Sequence, residues 1–354
     1  MRPSAGRVRQ PVRAGRFRIV PLPSSSSEVP VSAQAELLPL PSARQRAIMV
    51  GLTVLPFAGT IAGVLLLWNR AVGWVDLALF AAFYLAAGFG VTVGYHRMLT
   101  HRAFEAPAPV RATLLALGSM ALQGPPIPWA VDHRTHHAFS DKEGDPHSPH
   151  HGFPDTLWGE LRGLVHAHTG WLFETHGQAD WRKYARELYE DPGMRRINRM
   201  FPWLALASIA IPTALGWLIH GGVDGAARGL VWGGLVRAFL LHHVTWSINS
   251  VCHFFGRRRF DLEDHSTNVA WLALPSLGEA WHHNHHAFPR SAAHGLGRWE
   301  IDLSALLIRA MKRVGLAWNV VEIAPERQAA RAIGRKPAAA PPAEAPEREP
   351  AGVS

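Results

Sequence analysis

Residues 72–101 read VGWVDLALFAAFYLAAGFGVTVGYHRMLTH, and the stretch Val72–Val93 carries a single charge, Asp76. Spanning a hydrocarbon core takes roughly 20 such residues, so the stretch predicts a helix that crosses a membrane and delivers histidines to one side of it. Three other blocks repeat the apolar pattern: Ala47–Trp68 and Phe201–Ile219 without charge, and Ala226–Ile248 with Arg228 and Arg237. The mean hydropathy near zero therefore averages oily spans with polar tails. The expected fold is all-α, with four transmembrane helices in two hairpins and a cytosolic helical cap carrying a histidine-rich site.

The chain has 354 residues and a net charge of +9. Met1–Arg46 holds eight arginines against Glu28 and Glu36, among Pro and Ser runs that cannot build a packed core. It reads as a disordered basic arm (1–46) before a membrane domain (47–323), and the Ala-, Pro- and Glu-rich end (324–354) reads as a disordered tail. Because much of the excess charge lies in these ends, no nucleic-acid partner is expected. No apolar stretch followed by a small-residue cleavage site marks a signal peptide. The one cysteine, Cys252, excludes an internal disulfide framework and leaves imidazole as the metal-binding side chain, with 21 histidines available.

Basic residues before the first span predict an inner N-terminus. By alternation the turn 69–73 is outside, 95–200 inside, 220–225 outside and 249 onward inside. Val110–Gln123 and Asn268–Leu277 are too short to span and are expected as helices on the inner surface. Arg237 inside the fourth block is costly; it is read either as a substrate- or metal-side anchor or as a helix-end snorkel.

The histidines form boxes. His96 and His101, five apart, do not share one face of an ideal helix and must straddle a helix end to converge. His133, His136 and His137 stand at i, i+3 and i+4, which aligns three imidazoles on one face, and His282, His285 and His286 repeat that spacing. His253 follows the fourth block. Nine imidazoles meeting as cations would repel one another, so bound cations that keep them neutral are the natural solution, and nine ligands need two of them. Imidazole alone does not choose among Zn, Fe, Cu and Ni. Acidic residues near the boxes, Asp132, Asp141, Glu143, Asp145 and Glu279, are candidate acceptors for the outer ring N–H groups. His147, His150 and His151 read as solvated loop residues, His242 and His243 as hydrogen-bonded interior ones. His166, His168, His176, His220, His265 and His294 show no ligating spacing.

These residues resemble the integral-membrane fatty acyl desaturases of the stearoyl-CoA desaturase type. The resemblance rests on GYHRMLTHRAF (94–104), WAVDHRTHHAFSD with DPH (129–147), TWSINSVCHFFG (245–256) and GEAWHHNHHAFP (278–289), in the family's order, and extends from the first span to about Val321. It implies four transmembrane helices, a cytosolic cap and two irons, with zinc able to substitute. The implied ligands are His96, His101, His133, His136, His137, His253, His282, His285 and His286, with Asn249 near the metal through a water. The implied reaction uses O2 and two electrons to insert a cis double bond, commonly delta-9, in a long-chain acyl thioester or lipid. Trp129, Thr245 and Trp246 match positions that line the bend of the acyl tunnel, and Tyr84 falls where chain length is limited.

Two departures from the family pattern stand out. His283 replaces a common Asn and is read as a hydrogen-bonding residue. Glu174 and Thr175 stand where animal acyl-CoA enzymes carry a basic pair. The alternatives are a histidine-box hydroxylase or ketolase, or a non-enzymatic membrane metal or haem protein. A carboxylate-bridged di-iron enzyme needs two ExxH motifs, and only Glu279–His282 fits one. With no cysteine cluster and no haem-binding segment, electrons are expected from a separate ferredoxin, rubredoxin or cytochrome with its reductase. The expected location is a bacterial cytoplasmic membrane, multi-pass, with both termini and the active site on the cytoplasmic side.

Overall fold

A computed structural model describes residues 43–67 and 72–334; the arm 1–42, the turn 68–71 and the tail from 335 lie outside the described residues. The described residues are helical, and their only strand-like pairings are isolated bridges such as Arg257 with Asn268. The first helix, Ala43–Leu67, is followed by Trp74–Phe89, which continues without a break into the π-helix Gly90–Thr100. A second long pair is Pro192–His220 and the run Gly222–Gly229, Leu230–Val236 and Arg237–Ser250, whose middle part is again π-helical. Among the described residues, two helices, Trp74–Thr100 and Pro192–His220, are long and apolar enough to cross a membrane.

Small residues let these helices meet backbone to backbone. A Cβ on Gly216 would strike the carbonyl of Gly225, and one on Gly229 would strike that of Pro212, the small-residue contact that membrane helices favour. Positive φ at Gly221 and Gly222 turns the chain between the two. Gly90 and Gly118 make the same close contact between the π-helix and the helix Ala108–Ser119. That contact seats the π-helix, from which His96 projects.

Buried charges brace the bundle at two levels. At one end Asp76 pairs with Arg228, whose Nε lies 3.1 Å from Oδ1, with His220 Nε2 at 3.4 Å. Toward the other end Arg237, fully buried, donates to the carbonyls of Gly233, Met120 and Ser208 and to the Ser208 hydroxyl. It is neither a substrate anchor nor a snorkel; it ties three segments together through neutral acceptors, which is how a cation survives burial.

The expected surface helix 110–123 is present as Ala108–Ser119. The expected helix 268–277 shrinks to Ala270–Ala273, because Pro275 follows and Leu277 and Gly278 take positive φ. Residues 324–334, assigned to the tail by composition, carry the helix Pro325–Ala330. They dock on the body through Asp261 N to Arg331 O (2.9 Å) and the Arg331 guanidinium over the Phe288 ring.

Candidate metal centre

Four elements end at one place. The π-helix brings His96 and, just beyond it, His101; the His101 amide bonds the His96 carbonyl. A π turn closes at i→i+5, so the five-residue spacing that defeats an α-helix here sets the two rings 4.9 Å apart. The helix Pro126–Phe139 presents His133, His136 and His137; the 3-10 turn Val251–His253 adds His253; the helix His282–Ala287 supplies His282, His285 and His286.

The nine rings divide. His96, His101, His133, His137 and His285 offer ligand atoms that all lie within 4.8 Å of one another, and His136, His253, His282 and His286 do the same. Each HxxHH stripe is therefore shared between two centres. In the first group Nε2 of His137 is 2.8 Å from that of His285 and 3.1 Å from that of His133, while His101 and His133 are 3.0 Å apart. In the second, His282 Nε2 lies 3.0 Å from those of both His253 and His286.

The outer nitrogens explain which chemistry fits. His136 Nδ1 lies 3.0 Å from Asp145, His253 Nδ1 2.9 Å from Asp141, and His286 Nδ1 2.8 Å from Asp264. His96 Nδ1 meets Glu279, which Arg97 also holds. With Nδ1–H committed to a carboxylate, Nε2 keeps a bare lone pair. Lone pairs about 3 Å apart repel unless a cation sits between them, and a carboxylate behind a ligating imidazole is the arrangement metal sites use. Burial, and then the charges of neighbouring rings, hold His101, His133, His137, His282, His285 and His286 well below the usual histidine range. His136 differs: burial works against its protonation, but the carboxylates of Asp145, Asp141 and Asp264 together raise the ring. The donor set is all-nitrogen and split in two, which fits a pair of borderline divalent cations.

Other residues fall differently from expectation. Asp132 does not reach a box histidine; one residue before His133 it points to another side of the helix, where His176 Nδ1 lies 2.6 Å away. Glu143 is exposed. Asp264, unforeseen, sits in a loop 22 residues from its partner and carries no spacing signal. His147 is buried against His136, with ring centroids 4.2 Å apart, and His150 Nε2 is 2.6 Å from the His253 carbonyl, so neither is a solvated loop residue. His283 receives the Phe260 N–H at 2.9 Å and pairs with Ser266, a strut outside both groups. His294, read from the sequence as carrying no ligating spacing, is fully buried with no hydrogen bond at either ring nitrogen; its Nδ1 lies 3.7 Å from Glu279 and its ring 4.4 Å from that of His285.

A largely apolar cavity reaches the rings. Val91, Leu241, Val244, Ile248, Pro275 and Leu277 wall it, and His96, His133 and His282 border it. A second cavity shares Trp129, His133, Thr245 and Asn249 with it as lining residues, and Trp246 lines that one. Trp129 stacks on His133 at 5.2 Å. Tyr84 stands behind the wall, its hydroxyl donating to the Pro275 carbonyl at 2.7 Å.

A family model described as fatty acid desaturase matches residues 72–311. The chain is 43% identical over 271 residues to the hex-5-enoyl-[acyl-carrier protein] acetylenase of Moorena producens (strain JHB), covering 75% of this chain and 83% of that protein. It is 38% identical to the sn-1 stearoyl-lipid 9-desaturase of Anabaena variabilis, over 67% of this chain and 80% of the relative. The Delta-9 acyl-lipid desaturase 1 of Arabidopsis thaliana shares 38% over 70% of this chain and 75% of its own.

Proposed function

The chain belongs to the fatty acid desaturase family and is an oxidoreductase of lipid metabolism, and on that premise we propose that it inserts a cis double bond between carbons 9 and 10 of a long-chain acyl group. The observation that carries this reading is the division of nine imidazoles into groups of five and four beside an apolar cavity. His96, His101, His133, His137 and His285 would hold one iron, His136, His253, His282 and His286 the other, with Asn249 bordering the same space. Irons bound there supply the reduction of O2 by two electrons and two protons, which with two hydrogens taken from the acyl chain yields two waters.

The protein's own residues position the chain and keep the site dry. Val91, Leu241, Val244 and Ile248 exclude water along the chain. Trp129, braced against His133, and Thr245, which receives the Gln123 amide at 2.9 Å, turn it beside the rings. Asp141, Asp145, Asp264 and Glu279 hold the imidazole tautomers that keep Nε2 free for metal.

The same reading has four spans, at Ala43–Leu67, Trp74–Thr100, Pro192–His220 and 222–250, with the histidines on the cytosolic side and electrons delivered by a separate small redox protein. The Asp76–Arg228 pair at one end and the ring groups at the other support two spans running the same way. The identity to an acetylenase favours a second reading, in which an existing double bond loses two further hydrogens. Expression in a host lacking the activity, with double-bond mapping of total fatty acids, tests both. New cis-9 chains are expected; an alkyne supports the second reading; hydroxylated chains, or no new product with iron bound and a donor present, contradict both.

A further inference from the structure

The helix Leu157–Val165, LWGELRGLV, turns its large apolar side chains away from the protein. At roughly 100° per residue, Leu157, Leu161, Val165 and Trp158 fall on one arc, and they are 74, 45, 64 and 69% exposed. The opposite face is Gly159 and Gly163, both buried, packed so closely that a Cβ on either would strike the carbonyls of Pro154 and Pro149. Glu160 and Arg162 flank the arc, one on each side, and cancel in charge. A helix that packs by its glycines and exposes Leu, Trp, Leu and Val is built for an apolar neighbour.

Its attachments say which neighbour. The helical path continues through His166–Gly170 into Trp171–Glu174. His168 Nδ1 lies 2.9 Å from the Ser250 hydroxyl and its Nε2 3.0 Å from His243, so the segment is clamped to the end of Arg237–Ser250. Trp171 and Leu172 cluster with Trp246, and the Trp171–Glu174 turn packs on the first helix, whose Val50, Val54 and Leu55 are exposed. The outward arc is thereby held at the level where two of the proposed spans leave the bilayer. Further along the same segment, Trp171 and Leu172 line the second cavity together with Met49, Leu52 and Thr53 of the first helix and Trp246, and that cavity shares Trp129, His133, Thr245 and Asn249 with the one beside the histidines.

We propose that Leu157–Val165 lies in the plane of the cytosolic membrane interface and that the second cavity admits acyl chains sideways from membrane lipids, so that the substrate is a lipid-esterified acyl group. This rests on the desaturase reading. The local charge agrees: Glu174, on the same segment, 64% exposed at its side chain and 3.0 Å from His166 Nδ1, puts a carboxylate rather than a cation where the phosphates of a coenzyme A thioester would need one. The cancelled charges of Glu160 and Arg162 leave apolar burial, with Trp158 at headgroup depth, as the force that seats the helix.

The full chain, loaded with iron and reconstituted in neutral phosphatidylcholine vesicles bearing a stearoyl sn-1 chain, provides the test. Cys252 is the only cysteine and is fully buried, so Leu161→Cys accepts a single nitroxide. Relaxation by O2 exceeding that by a water-soluble nickel complex is expected; the reverse, or a label immobilised against a second copy, overturns the proposal. With a reduced ferredoxin as donor, double bonds are expected in the vesicle lipid. Double bonds confined to stearoyl groups supplied on acyl-carrier protein or coenzyme A overturn the lateral entry while leaving the desaturase reading intact. If neither pool changes, the desaturase reading fails and the nitroxide depth decides the membrane seat by itself. The Trp158→Glu/Leu161→Glu variant, with iron per chain as the folding control, should lose lipid desaturation by about tenfold or more; unchanged lipid desaturation overturns the proposal.

Discussion

Asp264 accepts from His286 Nδ1 at 2.8 Å and also holds the Ser266 backbone and hydroxyl. Asp264→Ala should weaken metal binding by about 10- to 100-fold, read as iron per chain after dialysis against a chelator, with helix content unchanged. His283 marks the contrast, since its ring serves the Phe260 backbone rather than either group. His283→Phe should leave iron binding intact and cost about 1–3 kcal/mol of stability, the penalty of orphaning a buried N–H, measured by thermal unfolding. Asp145 and Glu279 were legible because they stand in or beside a histidine box. Asp264 was not, because only loop folding brings residue 264 to residue 286. His294 was set aside for the same reason: nothing in SAAHGLG marks a ring that packs on His285.

At the level of elements, the lengths and hydropathy of the long helices could be read from composition, while their local winding could not. The π-helix Gly90–Thr100 is the physical answer to the five-residue spacing of His96 and His101, and it depends on the Gly90–Gly118 contact 28 residues away in sequence. Inserting an alanine after Leu99 should set the two histidines six apart, a spacing that neither α nor π winding brings to one face, and swing His101 out of register. Iron at the five-histidine group is then expected to be lost while the four-histidine group keeps its own, a halving of iron per chain. In the hairpin, Gly229→Leu forces a side chain into the Pro212 carbonyl and should destabilise by about 1–3 kcal/mol or more, seen as a lower Tm in detergent. The helix Leu157–Val165 escaped the sequence reading because its apolar arc is short and its packing face is glycine, which carries no hydropathy signal.

Across the whole molecule, buried neutral histidines set the response to acid. Burial, and then neighbouring rings, push His147 down to about 3 and His168 down to about 4, against roughly 6.5 in the unfolded chain. Below pH 6.5 the unfolded state takes up protons that the native state refuses, so stability is full above that value and falls as the pH drops toward the folded values. Thermal unfolding between pH 8 and pH 4.5 should show Tm steady above about 6.5 and falling below it. A Tm that rose on acidification would mean these rings are charged in the native state.

The account turns on two cations, one in each group of rings. Iron-edge anomalous scattering from crystals of the iron-loaded protein tests this most directly. Two peaks are predicted, one enclosed by His96, His101, His133, His137 and His285 and the other by His136, His253, His282 and His286. A single peak, or peaks lying at Asp145 and His147 instead of within the two groups, would contradict it.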